Sequence, residues 1–254
     1  MPIEPPTPGG LGRLVGELGA VREWTALLAD PVYWGVGLAR GRGQPVLVLP
    51  GLFANDLYLH PLRAWLARIG YAPVPSTLRV NAGCSERLSR EAEEPLREAM
   101  TRRPGPVAVI GHSRGGMLAR AIAARLGGAV SVLILLGAPV GAFTRLSDAD
   151  LAAGAIAAGA APVVDASLRA RRILDPDCRF PACGCPFPAD LRRPLDARTR
   201  VVSIYSRSDQ IVPPAASPIE GADNVEVGGT HSGLVYNRAA YHAMAAALAR
   251  DAAR

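Results

Sequence analysis

The chain has 254 residues, 49% hydrophobic and 20% charged, which suits one large domain, or a domain with one sizeable insertion, able to bury a real core. Its formal charge of +6 is the excess of 28 basic residues, all of them arginine, over 22 acidic ones. No run reaches the roughly 18 apolar residues of a membrane span. MPIEPPTPGG (1–10) has neither the basic stretch nor the apolar stretch of a signal peptide.

The expectation is a soluble cytoplasmic protein with no stable membrane insertion. Arg13, Arg22, Arg40, Arg42, Arg63, Arg68, Arg102, Arg103, Arg120 and Arg125 are scattered over several expected helices and line no single face. Arg169, Arg171 and Arg172 form the densest group and lack interleaved aromatic residues. The basic excess therefore reads as compositional bias and solvated helix faces, with no nucleic-acid partner.

In chain order, the first ten residues read as a loose tail. Leu11, Leu14, Val15, Leu18, Val21, Trp24, Leu27 and Leu28 then recur at helical spacing, predicting an amphipathic helix over 11–28 that serves packing. PVLVLPG (45–51) is a short apolar run bounded by breakers, as expected of a strand covered on both faces. Leu57, Tyr58, Leu62, Trp65, Leu66 and Ile69 predict a helix ending at Gly70. An extended piece near 72–78 precedes a charged helix near 85–102, with a bend expected at Pro95, where proline removes a backbone donor.

Strand 106–111, helix 115–126, strand 130–136, strand 200–205, a short strand 224–228 and a final helix 235–250 follow. Apolar strands alternating with amphipathic helices imply an α/β fold: a mostly parallel sheet of about six strands wrapped on both sides. Segment 140–198 interrupts the rhythm and is too long for a connection in a compact sheet. The division expected is a tail and helix over 1–44, a core over 45–139 and 199–254, and a helical insertion over 140–198. Cys178, Cys183 and Cys185 in this insertion match no standard zinc spacing, so they and Cys84 read as ordinary thiols, with a loop-bracing disulfide as the alternative.

The stretch VAVIGHSRGG (107–116) contains G-x-S-x-G as Gly111, His112, Ser113, Arg114 and Gly115, directly after a strand and before a helix. A sharp turn in that context strains the serine backbone and pushes its hydroxyl out at the end of the sheet. Alone, the pentapeptide also reads as a turn with Ser113 capping the helix. A serine nucleophile needs a base, and the base needs a carboxylate that fixes its tautomer.

Of the histidines at 60, 112, 231 and 242, His112 lies inside the turn and His242 within the last helix, while His231 stands in the glycine-flanked loop VGGTHSGL. Asp209 falls just past strand 200–205, between serine and histidine in chain order, whereas Asp223 reads as part of a surface turn. Negative charge developing on a carbonyl oxygen would need backbone donors: Arg114, after the serine, and Leu52 in LPGLFAND, with Phe53 as fallback. No metal or organic cofactor is needed for this chemistry.

LPGLFAN (49–55), VIGHSRGG (109–116), LLGAPVG (135–141), YSRSDQIVP (205–213) and GGTHSGL (228–234) together resemble the α/β-hydrolase superfamily, in its bacterial lipase and esterase-like branch. The resemblance spans 45–250 and implies Ser113 as nucleophile, Asp209 as acid, His231 as base, and Leu52 and Arg114 as oxyanion donors. It also implies that 140–198 is a cap or lid. Two features depart from the pattern: Pro50-Gly51 stands where many members carry His-Gly, and the usual leading antiparallel strands are missing.

Phe143, Leu146, Leu151, Ile156, Val163 and Val164 supply apolar area both for packing a lid and for lining an acyl pocket. The expected substrate is a small-molecule carboxylic ester with a hydrophobic acyl part. The alternatives are a thioesterase or acyltransferase on the same groups, or a hydrolase fold used only for binding.

Overall fold

A computed structural model describes residues 19–145, 169–170, 172–178 and 184–252. Six strands form one sheet: β1 (Pro45–Leu49), β2 (Ala72–Pro75), β3 (Val107–His112), β4 (Val130–Leu136), β5 (Arg200–Ser206) and β6 (Asp223–Val227). Their order is β2-β1-β3-β4-β5-β6, and every neighbouring pair is parallel. All strand carboxyl ends therefore lie along one edge. The chain crosses from β2 past β1 to β3, and in open α/β sheets ligands bind in the crevice beyond the strand ends where the order reverses in this way.

The inner strands β1, β3, β4 and β5 alternate their side chains between two largely buried faces, whereas the edge strands β2 and β6 are partly exposed. Val46, Val48, Ile110, Ile134 and Ile204 join one cluster with Trp65 and Tyr241, whereas Leu47, Leu49, Val109, Leu133 and Leu135 join the other with Leu96, Leu118 and Phe187. On the first side lie α1 (Gly19–Leu28), α2 (Pro31–Trp34), α3 (His60–Arg68) and α8 (Arg238–Ala252). On the second lie α4 (Ser85–Arg102), α5 (Arg114–Leu126) and α7 (Phe187–Arg192), while α6 (Val140–Arg145) packs beside the turn at 214–216.

Most expected elements appear within a residue or two of their anticipated ends. The chief differences are local. The last helix begins at Arg238, because residues 232–236 form a tighter 3-10 turn, and α4 runs unbroken through Pro95. Of the leading helix expected over 11–28, Gly19–Leu28 is present as α1, and 11–18 lie outside the described residues. Leu146, Leu151, Ile156, Val163, Val164, Arg171 and Cys183 also lie outside them, whereas Phe143 packs half-buried against the second cluster.

Arginines on α4 pair with glutamates one turn away, in Arg87–Glu91, Arg90–Glu86 and Arg102–Glu98, which is how a solvated helix face carries its charge. One network is buried. Arg125 on α5 meets Glu93 on α4 at 2.7 Å and Asp190 on α7 at 3.1 Å, and Arg193 closes on Asp190 at 2.8 Å. The three side chains of Arg125, Glu93 and Asp190 are almost fully enclosed. Asp190→Ala is expected to lower stability by about 3 kcal/mol, because a buried arginine loses half of its compensation. Urea denaturation of the two proteins measures the difference.

Candidate active site

The turn after β3 has the geometry its glycines allow. Ser113 adopts φ 54° and ψ −124°, a strained conformation for a residue with a side chain. Its N–H donates to the Leu136 carbonyl at 2.8 Å, which ties the turn to the end of β4. A Cβ at Gly111 would sit 2.6 Å from Gly116 Cα, and one at Gly115 would lie 2.5 Å from the Leu49 carbonyl oxygen. Strand, turn and helix meet backbone to backbone. Ser113 makes no side-chain cap of α5, so the helix-cap reading does not describe this turn.

Asp209 and His231 meet at the same edge, from the loops after β5 and β6. The Nδ1–H of His231 donates to Asp209 Oδ2 at 2.6 Å, with both side chains almost fully buried. The other carboxylate oxygen accepts from the N–H groups of Ile211 and Val212, each at 2.8 Å. An ionised carboxylate only accepts, so the proton belongs on Nδ1 and Nε2 is left as the acceptor. Gly137, at the end of β4, lies against both: a Cβ there would come within 3.4 Å of His231 Cε1 and 3.3 Å of Asp209 Oδ2.

Three further side chains hold the His231 loop, and the sequence offered no signal for them. Glu23 on α1 accepts from Thr230 N at 2.7 Å, Thr230 Oγ1 at 2.9 Å and Asn237 Nδ2 at 3.1 Å. The leading helix thus anchors the loop as well as packing on the core. Tyr58 Oη donates to the Ser232 carbonyl at 2.5 Å, and His112 Nε2–H donates to the carbonyl of His231 itself at 3.0 Å. His112 ends β3, next to the serine turn. Its place is structural, bridging the serine turn to the histidine loop, with its ring 4.9 Å from the His231 ring.

His112 is enclosed, and its Nδ1 has no hydrogen-bond partner among the described residues. Burial, reinforced by the neighbouring His231, pushes its imidazole down to about 3, against the smaller opposing effect of the hydrogen bond to the His231 carbonyl. The residue is neutral wherever the fold is intact near pH 7.

Of the two proposed backbone donors, Leu52 lies in the loop that leaves β1, and Arg114 is the first residue of α5, where N–H groups point out of the helix end. Phe53, the fallback, already donates its N–H to the Asn81 carbonyl at 3.0 Å. Gly51 faces the serine turn, since a Cβ there would lie 3.4 Å from Ser113 Cβ. His60 begins α3, and exposed His242 on α8 faces Asp30 at 3.2 Å, so neither joins the site. Among the described residues no group of three His, Cys, Asp or Glu side chains could hold a metal ion, and no helix is long and apolar enough to cross a membrane. Cys84, Cys178 and Cys185 are half-buried.

No family model matches the chain, and no curated protein matches it in sequence. Its structure is similar to a monoacylglycerol lipase of Paleococcus ferrophilus, with a TM-score of 0.53 and 14% identity over 84% of this chain and 97% of that one. It is also similar to a structure described under LipS and LipT, two metagenome-derived lipolytic enzymes, with a TM-score of 0.54 and 16% identity over 85% and 96%. The chain has the α/β-hydrolase fold, here a six-stranded parallel sheet flanked by helices. At these identities the likeness is one of architecture.

A pH-dependent stability follows from His112. The unfolded chain takes up this proton near pH 6.5, the native protein only near 3, so acid favours the unfolded state. The stabilisation is complete above about pH 6.5 and lost as pH falls toward 3, with a slope approaching about 1.4 kcal/mol per pH unit from this one group. Urea midpoints between pH 4 and 7 should fall less steeply in His112→Gln than in the parent.

Proposed function

We propose that this protein is a serine hydrolase acting on carboxylic esters, with Ser113 as nucleophile, His231 as base and Asp209 as the acid that orients it. The observation that carries the reading is the enclosed 2.6 Å hydrogen bond from His231 to Asp209, at the same sheet edge as the strained turn of Ser113. The carboxylate fixes the tautomer in which Nε2 can accept a proton, and the turn presents the hydroxyl at a helix N-terminus.

In the forward half-reaction Ser113 Oγ attacks the ester carbonyl carbon and its proton passes to His231 Nε2. The carbonyl oxygen becomes an anion received by the N–H groups of Leu52 and Arg114. The carbon–oxygen bond to the alcohol then breaks, and His231 returns the proton to that leaving oxygen. Water repeats the sequence on the acyl-enzyme and releases the acid. Asp209 stays ionised throughout and stabilises the imidazolium while it exists.

An ester with a hydrophobic acyl part is the preferred substrate class. Phe53, Leu57 and Val80 stand exposed on loops that leave the carboxyl ends of β1 and β2 and would offer apolar surface to such an acyl part. The cap expected over 140–198 falls largely outside the described residues, and its two described ends, α6 and α7, pack on the second core cluster. Asp175, in the described part of that segment, receives two hydrogen bonds from Arg87, at 2.8 and 3.0 Å, and one from Cys84 N at 2.6 Å, at the start of α4.

Turnover of p-nitrophenyl esters of increasing chain length tests both parts. Ser113→Ala is expected to lower kcat by about four to six orders of magnitude, and Asp209→Asn by about four. Retention of parental turnover by Ser113→Ala would overturn the assignment.

A further inference from the structure

We propose that Asn81 and the side chain of Arg114 are positioning residues that set the loop carrying the Leu52 donor. This rests on the ester-hydrolase reading above and assigns these two side chains a part in it. Pro50-Gly51 stands where a steadying His-Gly is common in the resembling family, and the backbone around it holds a strained residue, Phe53 at φ 61°. Such a loop needs an external brace to hold one geometry.

Asn81 supplies three attachments. Its Nδ2–H donates to the Pro50 carbonyl at 2.7 Å, its carbonyl accepts from Phe53 N at 3.0 Å, and its N–H donates to the Ala54 carbonyl at 3.0 Å. The side chain is fully buried. Its amide orientation is fixed chemically: Oδ1 accepts from Arg114 Nη1, which can only donate, and Nδ2 faces a carbonyl, which can only accept. Arg114 in turn donates through Nη2 to the Gly83 carbonyl at 2.5 Å and to Ser85 Oγ at 3.0 Å. Its planar fork therefore gathers the 81–85 turn, and that turn holds the 50–54 loop.

One residue thereby serves both sides of the oxyanion position. The backbone N–H of Arg114 is one donor, and its side chain, through Asn81, sets the register of the other. A rigid link between two donors is what preorganised charge stabilisation requires. Asparagine is needed at 81 because a single side chain must both accept and donate. Aspartate keeps the bond from Arg114 and loses the bond to Pro50.

Parent, Asn81→Asp, Asn81→Ala, Arg114→Met and Arg114→Lys are compared with p-nitrophenyl butyrate and an alkyl trifluoromethyl ketone. Serine adds to such a ketone: the Oγ–carbon bond forms, the carbonyl electron pair becomes an oxyanion, and the serine proton passes to His231. Active sites are counted by organophosphonate labelling, so that misfolded protein is excluded from kcat. The expected result is a fall in kcat of about ten- to a hundredfold in Asn81→Asp and Arg114→Met, with KM changed less than about threefold. Ketone affinity should weaken in proportion, and Arg114→Lys, which keeps the charge without the fork, should fall in between.

Labelled variants that keep the parental ketone affinity and kcat would overturn the inference while leaving the hydrolase reading intact. A fall in labelled fraction alone, with kcat per site unchanged, would do the same. If Arg114→Met fails to fold, Asn81→Asp decides the matter, because it keeps the Arg114 contact. A parent protein that neither hydrolyses the ester nor labels would overturn the hydrolase reading, and this inference with it.

Discussion

The close approach of backbone to backbone at Gly111 and Gly115 is the constraint on which the site depends. A Cβ at Gly111 would overlap the first turn of α5, and a Cβ at Gly115 would overlap the end of β1. With those hydrogens in place of methyl groups, α5 begins immediately beyond the sheet and Ser113 is held in its positive-φ turn. The same closeness brings the β1 exit loop against the serine turn, so that Gly51 faces both His112 and Ser113. The enclosure has a cost, because His112 Nδ1 is buried without a hydrogen-bond partner among the described residues.

Around this junction, the loops that hold the proposed catalytic groups are each fastened by hydrogen bonds from elsewhere in the chain. Glu23, Tyr58 and His112 fasten the His231 loop. Asn81 and Asp56 fasten the β1 exit loop; Asp56 accepts from Ser76 N, Ser76 Oγ and Thr77 N. Residues 211 and 212 hold the Asp209 carboxylate through their backbone. Loops leaving a parallel sheet have unpaired backbone groups and high conformational entropy, and buried hydrogen bonds of this kind are what limit them to one arrangement. The neutral state of His112 belongs to this scheme, since an imidazolium beside His231 would compete with the positive charge that His231 must carry in the proposed reaction.

Much of the architecture could be read locally. PVLVL, VAVIGH and VSVLILL are continuous apolar runs because strands buried on both faces have no polar side to show, and their positions were evident within a residue or two. G-x-S-x-G between such a run and a helix marked the turn, and chain order singled out Asp209 and His231, which the fold joins by a hydrogen bond. Helix ends were less legible. A 3-10 turn at 232–236 and the uninterrupted passage of α4 through Pro95 are settled by packing rather than by local preference.

The sequence by itself determined the α/β alternation, the serine turn and the candidate triad, because hydrophobic period and glycine spacing are properties of neighbouring residues. Only the tertiary structure decided how those loops are held. Glu23 meets Thr230 across 207 positions, His112 meets His231 across 119, and Asn81 meets Pro50 across 31. Each is a single polar residue in an ordinary local context, and its role follows from a partner that folding alone brings within hydrogen-bond distance. The departure at Pro50-Gly51 is visible in the sequence, but the hydrogen bonds that tie Asn81 to that loop and to Arg114 are not, since a three-way guanidinium contact leaves no periodic trace in the chain.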